Sequence, residues 1–330
     1  MREGRCIHKI VLMNIRHDWT KDEIREIHDT PLLELIVRAA TLHRLYHPSH
    51  QVQVCSLINF KMGGCPEDCK YCPQAARYHT DVKASPMMEE EEIMAKARKA
   101  LENGATRVCL GASWRSVRES PQFETVLRVV KAITAMGLEV CCTLGMLTES
   151  QARRLKECGL YAYNHNLDSS PEFYKTIITT RSYDDRLKTL DAVEKAGITV
   201  CCGGIIGMGE TIEDRIGLLY MLANRNPHPE SVPINILMPV PGTPLEDRPP
   251  VPIWEMVRMI ATARILMPKA MVRFTAGRIG RSLEEQALCF LAGANSIFSG
   301  EKLLTRPNPD WEEDKNMFKL FGLKPRPAFA

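Results

Sequence analysis

Residues 139–168 read EVCCTLGMLTESQARRLKECGLYAYNHNLD, and the architecture follows from the order of elements inside them. Glu139–Gly145 is a short apolar run with β-formers. Thr148 and Gln151 stand in the spacing of a capping box, and Gly159 closes the helix they open. Ala162–Asp168 is a second strand. A strand, a crossover helix and another strand within 30 residues form one βαβ unit of a parallel sheet.

The same alternation extends in both directions. Further strand candidates are Val52–Phe60, Thr106–Ser113, Thr199–Gly207, Val232–Val240, Met271–Gly277 and Ser296–Gly300. Several are almost continuously apolar, as strands covered on both faces are. The helices between them carry their own punctuation. Ser85-Pro86 opens one that Gly104 closes, Ser120-Pro121 one that Gly137 closes, and Ser182 one that Gly197 closes. Thr211, Pro252 and Ser282 open three more, and Asp310–Phe321 forms the last. Eight strand–helix units in one chain predict an α/β fold, a TIM-type (β/α)8 barrel; an open doubly wound sheet is the alternative. Ahead of the first strand, Thr20 with Glu23 and then Thr30-Pro31 start two helices expected on the barrel's bottom or side. The expected division is therefore an N-terminal helical extension over 1–48, the barrel over 49–322 and a short C-terminal tail over 323–330.

Composition narrows the function. Of 330 residues, 45% are hydrophobic and 25% charged, with 43 basic and 40 acidic side chains giving a net charge of +3. No long run of one sign offers a nucleic acid or a membrane surface a footing. No segment approaches the about 18 apolar residues of a membrane span, and the short run Ile10–Met13 is no signal peptide. Twelve cysteines are too few for a disulfide scaffold of this length. In a reducing cytoplasm, the expected location, clustered cysteines point to metal or catalysis.

The densest cluster is GGCPEDCKYC, in which Cys65, Cys69 and Cys72 are spaced C-x3-C-x2-C after the first strand. That loop opens on the barrel's C-terminal face, where active sites of this fold lie. A complete iron–sulfur cluster takes four cysteines, so three leave one iron open to a small molecule. A structural zinc site with His79 as the fourth ligand, or three unliganded thiols, are the plainer readings. Cys109, Cys141, Cys142, Cys201 and Cys202 lie on three strands. Inward and outward positions alternate along a barrel strand, so each Cys-Cys doublet places one thiol inside. Singly these are small buried hydrophobes; together with Arg273, which can face the same interior, they suggest a second metal site. Asn164, Asn166 and Asp168 share one face of an unusually polar strand, which places His165 between them on the other. The glycines of 203–209 do not form a dinucleotide fingerprint and suit a close approach to a ligand.

The cysteine triplet resembles that of the radical S-adenosylmethionine (SAM) enzymes. The stretches GGCPEDCKYCPQ (63–74), RVCLGASW (107–114), YNHNLDSSPEFY (163–174), IITTR (177–181), CCGGIIGMGET (201–211), ESVPINIL (230–237), VRFTAGR (272–278) and GANSIFSGEKLLT (293–305) look like the biotin synthase family within it. The resemblance implies sulfur insertion between C6 and C9 of dethiobiotin. It implies a [4Fe–4S] cluster on Cys65, Cys69 and Cys72 whose open iron binds SAM. It implies a [2Fe–2S] cluster on Cys109, Cys141, Cys201 and Arg273 that is consumed as the sulfur donor, with Cys142 and Cys202 outside the ligand set. No side chain is implied as an acid or base catalyst.

By the same resemblance Asp168, Asn166, Arg186 and Tyr71 bind SAM, with Arg186 toward its carboxylate and Arg181 also facing the site. Asn164, Asn166 and Asn235 meet the substrate's ureido ring, whose donors and acceptors an amide matches. Thr305 matches a family threonine near the substrate carboxylate. Arg306 departs from the family, which often has a second threonine there; it pairs with that carboxylate, points to solvent or marks another acidic substrate. The longer C-terminal tail of some members is not expected here. Implied partners are a flavodoxin or ferredoxin reducing system, iron–sulfur assembly proteins and a second copy of the chain in a homodimer.

Overall fold

The computed structural model describes residues 15–300, 302–303 and 305–330; the Ile10–Met13 run lies outside the described residues. Helices α1 (Lys21–Asp29) and α2 (Leu32–Tyr46) precede β1 (Gln51–Lys61). Then follow α3 (Glu90–Glu102), β2 (Arg107–Ala112), α4 (Pro121–Ala135), β3 (Glu139–Thr143), α5 (Glu149–Glu157) and β4 (Ala162–Asn164). Two helices, α6 (Pro171–Ile177) and α7 (Tyr183–Lys195), lead to β5 (Thr199–Cys201) and its continuation β6 (Gly204–Ile206). The circuit ends with α8 (Ile212–Ala223), β7 (Ser231–Ile236), α9 (Ile253–Leu266), β8 (Met271–Phe274), α10 (Leu283–Leu291) and β9 (Ser296–Phe298). All pairings in the order β1-β2-β3-β4-β5-β7-β8-β9 are parallel, and β9 pairs back to β1. The sheet is thus a closed barrel and not the open alternative.

The predicted caps of α1, α5, α7, α8 and α10 form, each with both halves of a capping box present. Three local expectations change. Helix α3 begins at Glu90 and not at Ser85, because Ser85 and Met88 first run beside the end of β1, donating to Met62 and Phe60 carbonyls at 2.9 and 2.8 Å. The strand read as Thr199–Gly207 breaks into β5 and β6 opposite Pro233, which has no N–H for the ladder. A short extra helix, α6, is capped by Ser170. The leading helices lie on the barrel's side, α1 against α8 and α2 against α9. Covered on both sides, α9 is buried almost all round from Met256 onward, Arg264 included.

After β9 comes a small hairpin of β10 (Lys302–Leu303) and β11 (Arg306–Pro307), then α11 (Trp311–Phe321) and β12 (Lys324–Pro325). Strand β12 pairs with the start of β1, and the Phe329 N–H donates to the Glu139 carboxylate at 2.7 Å, so the chain's end closes the barrel's foot.

Inside, the usual layers of branched apolar residues are replaced. At the foot, Arg107 Nε donates to Glu139 at 2.7 Å and its two Nη atoms donate to Glu230 at 3.0 and 2.9 Å. One step up, Cys55, Cys109, Cys141 and Cys201 pack with Ala162 in a cluster separate from the main core. Removing Arg107 strands two carboxylates in a buried site. Arg107→Met is expected to lower stability by about 3–5 kcal/mol, read as the urea unfolding midpoint at constant slope; a midpoint within experimental scatter of the parent would refute the assignment.

Candidate active site

The cysteine loop that follows β1 is held by its neighbours' hydrogen bonds. Gly63 turns it with φ +65°, and a Cβ there would meet the Lys83 carbonyl at 2.7 Å. The Cys65 N–H donates to the Gln74 carbonyl at 2.9 Å, and Cys72 to that of Cys69 at 2.9 Å. Asp68 ties the loop across the barrel mouth: it accepts from the N–H groups of Thr179 and Thr180 at 2.8 and 3.1 Å and from both their hydroxyls. Burial alone would raise the Asp68 carboxyl; the bonds from Thr179 and Thr180 outweigh it and hold the group at about 2. Glu67 adds a bond from the Thr180 hydroxyl and an ion pair with Arg115 at 3.0 Å. Nothing in the local sequence announced this tie, since its halves stand more than a hundred residues apart.

Cys65, Cys69 and Cys72 face one cavity of about 360 Å3 that continues down the barrel to Cys109 and Arg273. Burial raises all three loop thiols, Cys72 to about 12 with Cys69 beside it, so occupation by a cation must displace their protons. Among the described residues no three His, Cys, Asp or Glu side chains are drawn together around a single ion. His79, the candidate fourth zinc ligand, is exposed and away from the cavity lining.

The thiol layer below is fully inside the barrel. Register places Cys109 opposite Cys141, and Asn164 opposite Cys201. Cys142 and Cys202 point the other way, into the core beneath the helices. The thiols of Cys141 and Cys55, acting as donors, hold Cys109 well below the usual thiol range. Cys201 is held down to about 6 by Cys141, by Arg273 and by Asn164, whose Nδ2 lies 3.2 Å from its sulfur, against the effect of burial. Arg273 donates to Cys201 Sγ at 3.6 Å, to Ser296 Oγ at 2.9 Å and to Gln53 Oε1 at 3.1 Å.

Between the two thiol groups the cavity wall is polar. Asp168, with φ +67°, accepts at Oδ2 from the Tyr71 hydroxyl at 2.8 Å and from Arg186. Arg186 also donates to the Asn166 carbonyl at 2.7 Å and the Tyr174 hydroxyl at 3.0 Å. Asn166 Oδ1 accepts from Asn164 at 3.2 Å and the Gly203 N–H at 3.1 Å. Asn235 donates to the Gly204 carbonyl at 3.1 Å and accepts from the Thr275 hydroxyl. Arg181 Nε stands 3.9 Å from the Glu67 carboxylate without a hydrogen-bond partner among the described residues, and its Nη2 stands 3.9 Å from the Cys69 sulfur. Thr305 and Arg306, on the hairpin, line the cavity mouth, and Arg306 Nε is likewise buried and unpartnered among the described residues.

The His165 ring lies beside that of Tyr163, 6.5 Å between centroids, while Asn164 and Asn166 bond each other on the cavity side, as the alternation reading expects. Burial holds its imidazole well below the usual range, hence neutral. Cys55 is a residue that sequence reasoning passed over. It occupies the position before Leu57 on the inner face, and the period of two that placed Cys109 and Cys141 also reached it.

Comparison with known proteins bears on this arrangement. Residues 60–222 match the radical SAM superfamily model, and residues 233–324 match the biotin and thiamin synthesis associated domain. Biotin synthase of Cytophaga hutchinsonii is 61% identical over 318 residues, covering 96% of this chain and 94% of that protein. Biotin synthase of Nostoc punctiforme is 61% identical over 320 residues, covering 96% of each. The crystal structure of methylornithine synthase superposes with a TM-score of 0.77 at 20% identity over 93% of this chain and 94% of that one, a likeness of fold.

The tie through Asp68 is the support of the cysteine loop. Asp68→Ala is expected to weaken iron binding by the loop at least about tenfold, measured as iron loss to a chelator from anaerobically loaded protein. Iron held as tightly as in the parent would remove Asp68 from that role.

Proposed function

The chain belongs to the biotin synthase family of radical SAM enzymes, and from that membership we propose how its own residues carry out sulfur insertion between C6 and C9 of dethiobiotin. The observation that carries the reading is the single cavity with the cysteine triplet at its mouth, the thiol layer with Arg273 at its floor and a polar face between.

Cys65, Cys69 and Cys72 are assigned to a [4Fe–4S] cluster, and Cys109, Cys141 and Cys201 with Arg273 to a [2Fe–2S] cluster. When bound, the first supplies the electron that splits SAM to methionine and a 5′-deoxyadenosyl radical, and the second supplies the sulfur. The protein's part is to position and to exclude water, since a radical that meets solvent or side chains is lost. Asp168 keeps Oδ1 for the ribose hydroxyls while Tyr71 and Arg186 hold Oδ2 in place. Arg186, helped by Arg181, receives the methionine carboxylate. Asn164 steadies Asn166 and Cys201 together, so the amide that meets the ureido ring and the thiol that meets the cluster share one support. Asn166 and Asn235 present that ring with donor and acceptor. No proton transfer by a side chain is required, and the neutral His165 fits a packing role at the wall.

Thr305 and Arg306 are placed at the substrate's carboxylate, with the arginine supplying a charge-assisted bond. Electrons come from a flavodoxin or ferredoxin system, iron–sulfur assembly proteins rebuild the consumed cluster, and the chain acts as a homodimer. The free thiols that serve as ligands call for a reducing compartment, the cytoplasm.

Anaerobic protein loaded with iron and sulfide, given SAM, a reductant and dethiobiotin, is expected to yield biotin and 5′-deoxyadenosine by mass spectrometry. Neither product from fully loaded protein would defeat the radical reading; deoxyadenosine without biotin would defeat the substrate assignment. Arg306→Ala is expected to raise the KM for dethiobiotin about 10- to 100-fold with kcat little changed, the loss of one charged hydrogen bond. A KM unchanged by the substitution would place the arginine in solvent.

A further inference from the structure

A second groove, of about 670 Å3, opens at the same end of the barrel, between the cysteine loop and the segment that joins β2 to α4. Gly64 and Pro66, both exposed, form one side of it, and Cys65 between them lines the site cavity. Ser113 and Trp114 line both spaces, so they are the wall between groove and cavity. That wall is held by short-range bonds. Ser113 Oγ donates to the Gly63 carbonyl at 2.6 Å, and Lys61 Nζ donates to the same carbonyl and to Ser113 Oγ at 3.2 Å each. Beyond Trp114, the Arg115 carbonyl accepts from the Met146 N–H at 2.9 Å, and the Met146 carbonyl from the Val117 N–H at 2.8 Å. The half-buried Trp114 indole packs edge-on against Phe60, 5.8 Å between centroids.

The groove is positive around an apolar floor. Three of its lining residues are cations, Lys61, Arg115 and Arg118, and none is a carboxylate. Glu67 compensates Arg115 at 3.0 Å. Lys61 meets only neutral acceptors, and the exposed Arg118 has no ion pair among the described residues. The acids nearest in sequence are engaged elsewhere, Glu119 with Arg154 at 2.6 Å and Glu90 with Arg128 at 3.0 Å. Trp114, Met87, Pro66 and Pro86 supply the apolar part. Such a surface complements a partner that carries acidic side chains around an apolar redox group. The exposed edge of a flavin ring can pack on Trp114 and Met87, as aromatic rings and thioethers pack together. An iron–sulfur carrier has no such ring to offer.

We propose that this groove docks an acidic flavin-bearing electron carrier, and that its electron enters the cysteine loop through the Gly64–Pro66 and Trp114 wall. This rests on the assignment of a [4Fe–4S] cluster to Cys65, Cys69 and Cys72, and names the surface from which that cluster is reduced. One electron leaves the reduced flavin and enters the cluster. The carrier is oxidised by one electron, the cluster is reduced by one, and no bond forms or breaks in this step. The unpaired charge of Arg118 steers the encounter, so it acts on association and not on the radical chemistry.

The test compares the parent with Arg118→Glu and Gln122→Glu, each loaded anaerobically with iron and sulfide. Gln122 is exposed, lines the groove and is the second residue of α4, where a carboxylate favours the helix, so this variant guards against a folding defect. The reductants are reduced flavodoxin, an acidic flavin carrier, and reduced methyl viologen, a small cation that needs no docking. The readouts are the flavodoxin Kd by titration calorimetry at several salt concentrations, cluster reduction by stopped-flow absorbance, and 5′-deoxyadenosine. Flavodoxin is expected to bind the parent more weakly as salt rises. Both variants are expected to raise its Kd at least about tenfold at low salt and to slow flavodoxin-driven reduction, with viologen-driven rates unchanged. Flavodoxin that binds and reduces both variants as it does the parent, or that fails to bind the parent, would overturn the docking surface alone. Variants that slow an acidic [2Fe–2S] ferredoxin and spare flavodoxin would overturn the choice of a flavin carrier. A parent that forms no deoxyadenosine even with methyl viologen would overturn the cluster assignment beneath the inference.

Discussion

The ion pair between Arg107 and Glu139, buried at the foot of the barrel, fixes the arrangement of everything above it. The two residues are register partners on β2 and β3. A slip of one residue would turn both charges outward into the apolar layer beneath the helices and bring Val108 and Val140 inside. Neither charge tolerates that without its partner. The pair therefore specifies the register, and the register carries Cys109 and Cys141 to the interior two residues further along. Glu230 and Gln53 join the same network from β7's approach and from β1. The foot of the barrel thus ties together β1, β2 and β3, three of the strands that carry the thiol layer, and joins them to the start of β7.

At the other end the constraint is different. The cysteine loop has no helix or strand of its own and takes its shape from Asp68 and Glu67 reaching Thr179 and Thr180. These bonds cross from the first βα loop to the segment after α6, bridging the mouth of the cavity. Because Arg181 follows Thr180 directly, the bridge that steadies the cysteine loop also fixes the cation beside Cys69. Loop, bridge and cation form one rigid rim around the cavity, which suits a site that must shield a reactive species from water.

Much of this was legible in the sequence because its signals are local. Capping boxes, closing glycines and strand runs report within a few residues, so the number and order of strand–helix units could be read. The period of two correctly divided Cys141 from Cys142 and Cys201 from Cys202. It also set His165 beside Tyr163, away from Asn164 and Asn166. It was not pressed far enough at Cys55, where the same period applied. The start of α3 was hidden because Ser85 spends its capping capacity on Met62 instead. The foot network and the Asp68 bridge join residues distant in sequence, and no local pattern reveals such partners.

Charge in the interior gives the chemistry a further rationale. Buried charges require compensation, and most here have it: Asp168 meets Arg186, Glu67 meets Arg115, and Arg107 meets Glu139 and Glu230. Arg264, buried in α9, is surrounded by carbonyl oxygens of Gly293, Pro268 and Ala270. Arg273 and Arg306, like Arg264, have no carboxylate partner among the described residues, and these two line the cavity. Arg273 faces only thiols and neutral side chains. Arg306 has a buried Nε without a hydrogen-bond partner among the described residues at the cavity mouth. Two cations without a carboxylate thus lie at the floor and the mouth of one cavity. A substrate with an anionic end and a neutral ring can lie along it with the carboxylate outward and the reacting carbons toward the sulfur.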